Sequence, residues 1–138
     1  MKIISIFLPY LGCKERCIFC NQQILNDVYV VPADNQIRKK IGVALETLPE
    51  GQKAEVAFFG CSFSSMPIER QEGYLMIADE FKEAVSEIRI SAHPTSFNNE
   101  ILKLYKKYRV TTIELGVESM SGSVLKESKR RYSPEDVK

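Results

Sequence analysis

The sequence predicts an α/β fold: a parallel sheet built from about four βα units, forming an open part of a TIM-like (β/α) barrel. Three observations carry this. Apolar runs rich in β-branched and aromatic residues alternate with amphipathic stretches of helical period along the whole chain, the pattern of βα units and right-handed crossovers. The apolar runs are nearly continuous, as in strands buried on both faces of a parallel sheet. Finally, a closed eight-unit barrel takes about 250 residues, or about 31 per unit, so 138 residues hold roughly half of one.

The elements follow in order. Ile3 to Leu8 reads as the first strand. A cysteine-rich loop follows, and Asp34 is placed to cap a helix with apolar positions Ile37, Ile41, Ala44, Leu45 and Leu48, while Arg38, Lys39 and Lys40 face outward. Ala54 to Phe59 is a second buried strand, ended by Gly60. Pro67 suits the first turn of a helix whose stripe is Leu75, Ala78, Phe81 and Val85, weakened locally by Gly73. Glu87 to Ser91 is a short third strand. Asn98 precedes a helix marked by Ile101, Tyr105 and Tyr108. Val110 to Val117 is the fourth strand, and Ser121 caps a short helix through Val124 and Leu125. Ser133, Pro134, Glu135 and Asp136 form a helix-start signature. With that start so near Lys138, the chain is expected to be the N-terminal portion, residues 1–138, of a longer domain.

Composition narrows the function classes. Hydrophobic residues at 44% and charged residues at 27% argue against disorder. Nineteen Lys and Arg against 18 Asp and Glu leave a net charge of +1, which excludes a strong global field for nucleic acid or anionic membrane. No apolar run is long enough to span a bilayer, and the N-terminus lacks the pattern of a signal peptide. A cytoplasmic, membrane-free protein is expected. The basic residues Lys103, Lys106, Lys107, Arg109, Lys126, Lys129, Arg130 and Arg131 read as a solvated helix face rather than an RNA surface, because Glu100 and Glu127 interrupt them.

The four cysteines are more informative. Cys13, Cys17 and Cys20 fall within eight residues directly after the first strand, and Cys61 stands apart. Without an export signal, such crowding points to metal rather than disulfides. Three thiolates in a C-x3-C-x2-C loop can hold three irons of a cubane cluster and leave the fourth iron open. The rival is a four-thiolate zinc site that recruits Cys61, although Cys61 has no knuckle partner. On the fourth strand Glu114, Gly116 and Glu118 alternate and so share a face. Gly116 leaves room there, and Glu118 can accept ribose hydroxyls, as an acid does in dinucleotide folds.

Five stretches, in order along the chain, carry a resemblance to a known family. They are Pro9-Tyr10-Leu11-Gly12-Cys13, Cys17-Ile18-Phe19-Cys20-Asn21-Gln22-Gln23, Phe58-Phe59-Gly60-Cys61-Ser62-Phe63, Ile88-Arg89-Ile90-Ser91 and Glu114-Leu115-Gly116-Val117-Glu118-Ser119-Met120. Together they resemble the radical S-adenosylmethionine (radical SAM) superfamily, in the branch like the Elongator catalytic subunit and the oxygen-independent coproporphyrinogen oxidases.

The resemblance implies an enzyme with a 4Fe–4S cluster on Cys13, Cys17 and Cys20 that binds S-adenosylmethionine and cleaves it reductively to a 5′-deoxyadenosyl radical, which then abstracts hydrogen from a substrate. It implies an electron donor such as a flavodoxin or ferredoxin, and it leaves tRNA or a small molecule open as substrate. Phe19 is where the family packs adenine. Gly60, Cys61 and Ser62 stand where it approaches the methionyl group, with a backbone carbonyl offered to the amino nitrogen. Glu114 and Glu118 take the cofactor or substrate face of the fourth strand.

Two departures stand out. Cys61 replaces a second glycine, either as a small tolerated side chain or as a fourth ligand that would block the open iron. His93 and Thr95 replace a charged pair. The reading from another class is a non-catalytic zinc- or RNA-binding fragment. A four-stranded piece also exposes its fourth strand as an apolar edge, so self-association is expected.

Overall fold

The computed structural model describes residues 1–22 and 30–138. Four strands, β1 (Lys2–Phe7), β2 (Ala54–Phe59), β3 (Val85–Ala92) and β4 (Val110–Leu115), make one sheet in the order β1-β2-β3-β4. Every pair is parallel, with Ile4 opposite Val56, Phe58 opposite Ile90, and Ile90 opposite Ile113. Helices α1 (Asp34–Glu46), α2 (Ile68–Asp79), α3 (Asn99–Lys107) and α4 (Gly122–Glu127) alternate with the strands, and short 3₁₀ turns cover Phe63–Ser65 and Pro134–Val137. The architecture is the predicted α/β one, and the sheet is open.

One sheet face is sealed by helices. Ile4, Ile6, Val56, Phe58, Ile88 and Ile90 meet Ile37 and Ile41 of α1, Tyr74, Leu75, Ile77 and Ala78 of α2, and Ile101, Leu104 and Tyr105 of α3 in one core cluster. Within it Phe58 tilts against Phe63 and Tyr74 at 5.3 and 5.9 Å between centroids. A buried relay crosses the core. Tyr105 donates to Gln71 Oε1 at 2.7 Å, and Gln71 Nε2 donates to the Met66 carbonyl at 2.7 Å. It ties α3 and α2 to the turn after β2 with its hydrogen bonds satisfied. The opposite face carries Ser5, Ala57, Arg89 and Glu114. β1 was expected to be buried on both faces, yet Ile3 is 52% exposed, because no strand stands over that face among the described residues.

Local signals held to within a residue or two, with instructive exceptions. Asn98, expected just before α3, also caps it, its Oδ1 accepting from the Ile101 amide at 2.8 Å. Asp34 instead begins α1 from inside. Ala33 occupies the cap, and Gln36 reaches back to accept the Ala33 N–H at 2.8 Å. Val85, expected on the stripe of α2, opens β3. The helix stops at Asp79, and turns through Phe81 and Ala84 hand the chain to the sheet. Ser121 sits at the start of α4 without capping it, because its hydroxyl pairs with that of Ser123. Ser133 does pair with Asp136 Oδ2, at 2.7 Å from its amide.

Candidate active site

The C-terminal ends of all four strands open onto a cavity of about 420 Å³, the size of a small-molecule pocket. All nine residues predicted for the site line it: Cys13, Cys17, Cys20, Phe19, Gly60, Cys61, Ser62, Glu114 and Glu118. Gln23, the last residue of the second motif, lies outside the described residues.

The loop after β1 is built by tight backbone approach. Gly12 adopts φ +70, and a Cβ there would sit 2.3 Å from the Ser62 carbonyl oxygen, so only glycine fits. Tyr10 is also left-handed, with φ 56. Its amide donates to the Gly60 carbonyl at 2.9 Å, and its ring lies 3.8 Å beneath the Arg16 guanidinium. Gln22 completes the stitching. Its Oε1 accepts from the Tyr10 amide at 3.0 Å, its Nε2 donates to the Gly60 carbonyl at 2.7 Å, and its own amide donates to the Tyr10 hydroxyl at 2.7 Å. Gly60 has φ +77 and would drive a Cβ to 2.2 Å from the Phe7 ring. Its carbonyl, expected to be free for the methionyl amino group, is already engaged by Tyr10 and Gln22. A carbonyl oxygen has two lone pairs, so Gly60 supplies shape rather than an open acceptor.

All four cysteines are free thiols and half-buried. Burial pushes the Cys13 thiol up; the neighbouring Cys20 and Cys17 add to this, while the Ser62 amide and Arg16 oppose it. Burial pushes Cys61 far above the usual thiol range, and Cys61 packs against the apolar core, as a small apolar side chain would. Among the described residues no three Cys, His, Asp or Glu side chains converge on a point where one ion could sit. A zinc site needs that convergence. A cubane asks for something different, because each thiolate meets its own iron. The three thiols of this loop line the cavity, and thiolates are the donors such a cluster takes.

His93 is built into the wall. Its amide donates to Ser62 Oγ at 3.2 Å, and its ring meets Tyr132 edge-on at 5.0 Å. Its Nε2 faces Glu15 Oε2 at 3.8 Å, and neither buried atom has a hydrogen-bond partner. Burial, with Arg130 nearby, lowers its pKa, opposed by Glu15.

Glu114 is expected on the cofactor or substrate face of β4. Its side chain is 52% exposed and accepts from Arg89 Nη1 at 2.7 Å, while Arg89 Nε donates to the buried Glu55 at 2.7 Å. Glu114 thus joins a pairing across three strands while lining the cavity. Glu118 lies beyond the end of β4, which stops at Leu115, and reaches the cavity through a left-handed residue with φ 62. The turn, not strand alternation, places it there.

The sequence missed Arg130 by grouping it with surface cations. The structure divides that group. Lys107 pairs with Glu72 and Arg109 with Asp79, whereas Arg130 turns into the cavity. Lys129 takes φ 61, and amides of Lys129 and Arg130 donate back to Lys126 and Leu125 at 3.1 and 2.8 Å. This is a Schellman closure of α4 that reverses the chain. Arg130 Nη1 then donates to Cys17 Sγ at 3.3 Å, and Nη2 donates to the Gly116 carbonyl. The cysteine loop is clipped to the same segment elsewhere, by Ile18 N to Ser128 O at 3.3 Å and Arg131 N to Glu15 Oε1 at 3.0 Å. With lysine rather than glycine at the left-handed position, no local signal announced the turn.

Residues 7–138 match the Radical SAM superfamily. The chain is 30% identical over 145 aligned positions to a protein named tRNA-2-methylthio-N(6)-dimethylallyladenosine synthase, from Buchnera aphidicola subsp. Cinara cedri (strain Cc), covering 97% of this chain and 32% of that protein. Its fold is similar to that of the archaeal Methanocaldococcus infernus Elp3 with an N-terminus deletion (1-46), at a TM-score of 0.64 and 19% identity, over 98% of this chain and 33% of that one. The chain thus spans about a third of the length of either relative.

Proposed function

The chain belongs to the radical SAM superfamily, and on that premise we propose that Cys13, Cys17 and Cys20 hold a 4Fe–4S cluster whose open iron faces S-adenosylmethionine in the adjoining cavity. One observation carries the reading: three free thiols of a single loop line a cavity at the C-terminal ends of parallel strands, the face where barrel enzymes keep their sites. When bound, the cluster supplies one electron to split the sulfonium and release a 5′-deoxyadenosyl radical for hydrogen abstraction.

The remaining work belongs to the chain. Tyr10 and Gln22 hold the cysteine loop against the end of β2. Phe19, 54% exposed, offers an apolar face suited to a stacked base. Ser62, hydrogen-bonded to Ser65 and His93, fixes the edge beside Cys61. Glu118 offers a carboxylate to ribose hydroxyls.

A tRNA substrate is supported by the 30%-identical relative, which is named for a tRNA modification. A flavodoxin- or ferredoxin-like donor would supply the electron. The cytoplasm, which keeps thiols reduced, suits these cysteines, and no helix among the described residues is long and apolar enough to cross a membrane. No observation favours the non-catalytic zinc- or RNA-binding reading.

Anaerobic reconstitution tests the proposal. The chain should take up about four irons and four sulfides. Cys13→Ala, Cys17→Ala and Cys20→Ala should each abolish that uptake. A full cluster retained by any of the three, or one tightly bound zinc in its place, overturns the reading.

A further inference from the structure

Cys17 differs from the other two cysteines of its loop in one respect. It accepts a side-chain hydrogen bond from Arg130 Nη1 at 3.3 Å, and among the described residues no side chain donates to Cys13 or Cys20. The guanidinium is held from several sides. Nη2 donates to the Gly116 carbonyl and to the Tyr132 hydroxyl, the Tyr132 ring lies 5.0 Å from the guanidinium carbon, and the Tyr132 hydroxyl donates onward to the Val117 carbonyl. Its Nε is buried without a partner. A cation clamped this firmly is not a side chain that drifts against a thiol. The Schellman turn delivers it from more than a hundred residues away in sequence.

We propose that Arg130 is a positioning residue that donates to the Cys17 sulfur and thereby sets the electron affinity of a cluster held by this loop; this rests on the cluster reading above. Hydrogen bonds to ligand sulfurs and local charge are among the levers that set iron–sulfur potentials. Each electron added to a cluster adds negative charge, and a fixed cation in a poorly screened pocket favours the more negative state. Arginine suits the task because it keeps its proton at every relevant pH. Its fork can donate to the sulfur with one nitrogen while the other is anchored to backbone. The result is asymmetric: among the described residues, the middle cysteine carries the side-chain donor and the outer two do not.

The test compares wild type, Arg130→Lys and Arg130→Met, each reconstituted anaerobically, assayed for iron and sulfide, and titrated redox-potentiometrically by electron paramagnetic resonance without S-adenosylmethionine. Arg130→Met should titrate at a more negative midpoint than wild type, with Arg130→Lys between them. An unmoved midpoint in Arg130→Met at full iron content overturns the inference while leaving the cluster reading intact. Absence of iron from wild type removes the cluster reading and this inference with it. Should Arg130→Met lose its iron through a displaced loop, Arg130→Lys decides on the same titration: a lowered midpoint supports the inference and an unchanged one overturns it. A loss of S-adenosylmethionine affinity at an unmoved midpoint would make Arg130 a cofactor contact instead.

Discussion

β2 and β4 are parallel strands of six residues each, Ala54–Phe59 and Val110–Leu115, and both read as good strand formers. Their surroundings differ completely. In β2 every residue but Phe59 is buried, down to Glu55 at 1% exposure. In β4 Ile113 is 38% and Leu115 44% exposed. The difference lies in their neighbours. β2 runs between β1 and β3 with α1 and α2 packed over the sheet, while among the described residues β4 pairs with β3 alone. Arg89 on β3 joins the two, one guanidinium bonding buried Glu55 on β2 and exposed Glu114 on β4. Burial, and the cost of disturbing a residue, follow from a strand's place in the sheet order rather than from its composition.

The sharpest way to break this comparison is to truncate one large side chain in each strand. Phe58→Ala removes a ring that is fully buried against Phe63 and Tyr74, and should cost about 3–5 kcal/mol in urea unfolding. Ile113→Ala should cost under about 1 kcal/mol. Equal losses would mean that β4 is covered in solution.

The Arg89 bridge gives a smaller contrast. Arg89→Met strands the buried Glu55 carboxylate, and breaking a buried pair from one side is costly. Glu114→Gln removes only an exposed partner, worth little. The first should lower the unfolding midpoint several-fold more than the second, and a reversed order would place Glu114 rather than Glu55 in the dry environment.

The smallest effect on stability, though a visible one, concerns association. The free edge of β4 offers unpaired backbone groups beside exposed Ile113 and Leu115, a template for a second chain. Sedimentation velocity of the 138-residue chain should show concentration-dependent association that Ile113→Lys reduces. A well-behaved monomer at all micromolar concentrations would show the edge to be protected.

Much of the architecture was legible because it depends on short-range chemistry. The run Ala54 to Phe59 matched β2 residue for residue, and the oxygen of Asn98 capped α3, since both depend on neighbours within a few positions. The cysteine loop was legible for the same reason, three ligand atoms within eight residues. Misreadings fell where distant groups decide. Val85 left a helix for the sheet once β2 was there to pair with it. Glu114 acquired Arg89 as a partner from another strand. Glu118 reached the cavity through a left-handed turn beyond its strand.

The sequence by itself determined the α/β alternation and the strand-loop-cysteine order, because hydrophobic period and ligand spacing act locally. Only the tertiary structure decided which strand is central and which is an edge. It also closed the Gly60 carbonyl with Gln22 and brought Arg130 onto Cys17 across the whole length of the chain. Those outcomes depend on which surfaces meet after the sheet forms. A guanidinium 113 residues from its thiol leaves no trace in local sequence, because the contact is made by the fold's closure around the cavity and not by any preference of the residues beside it.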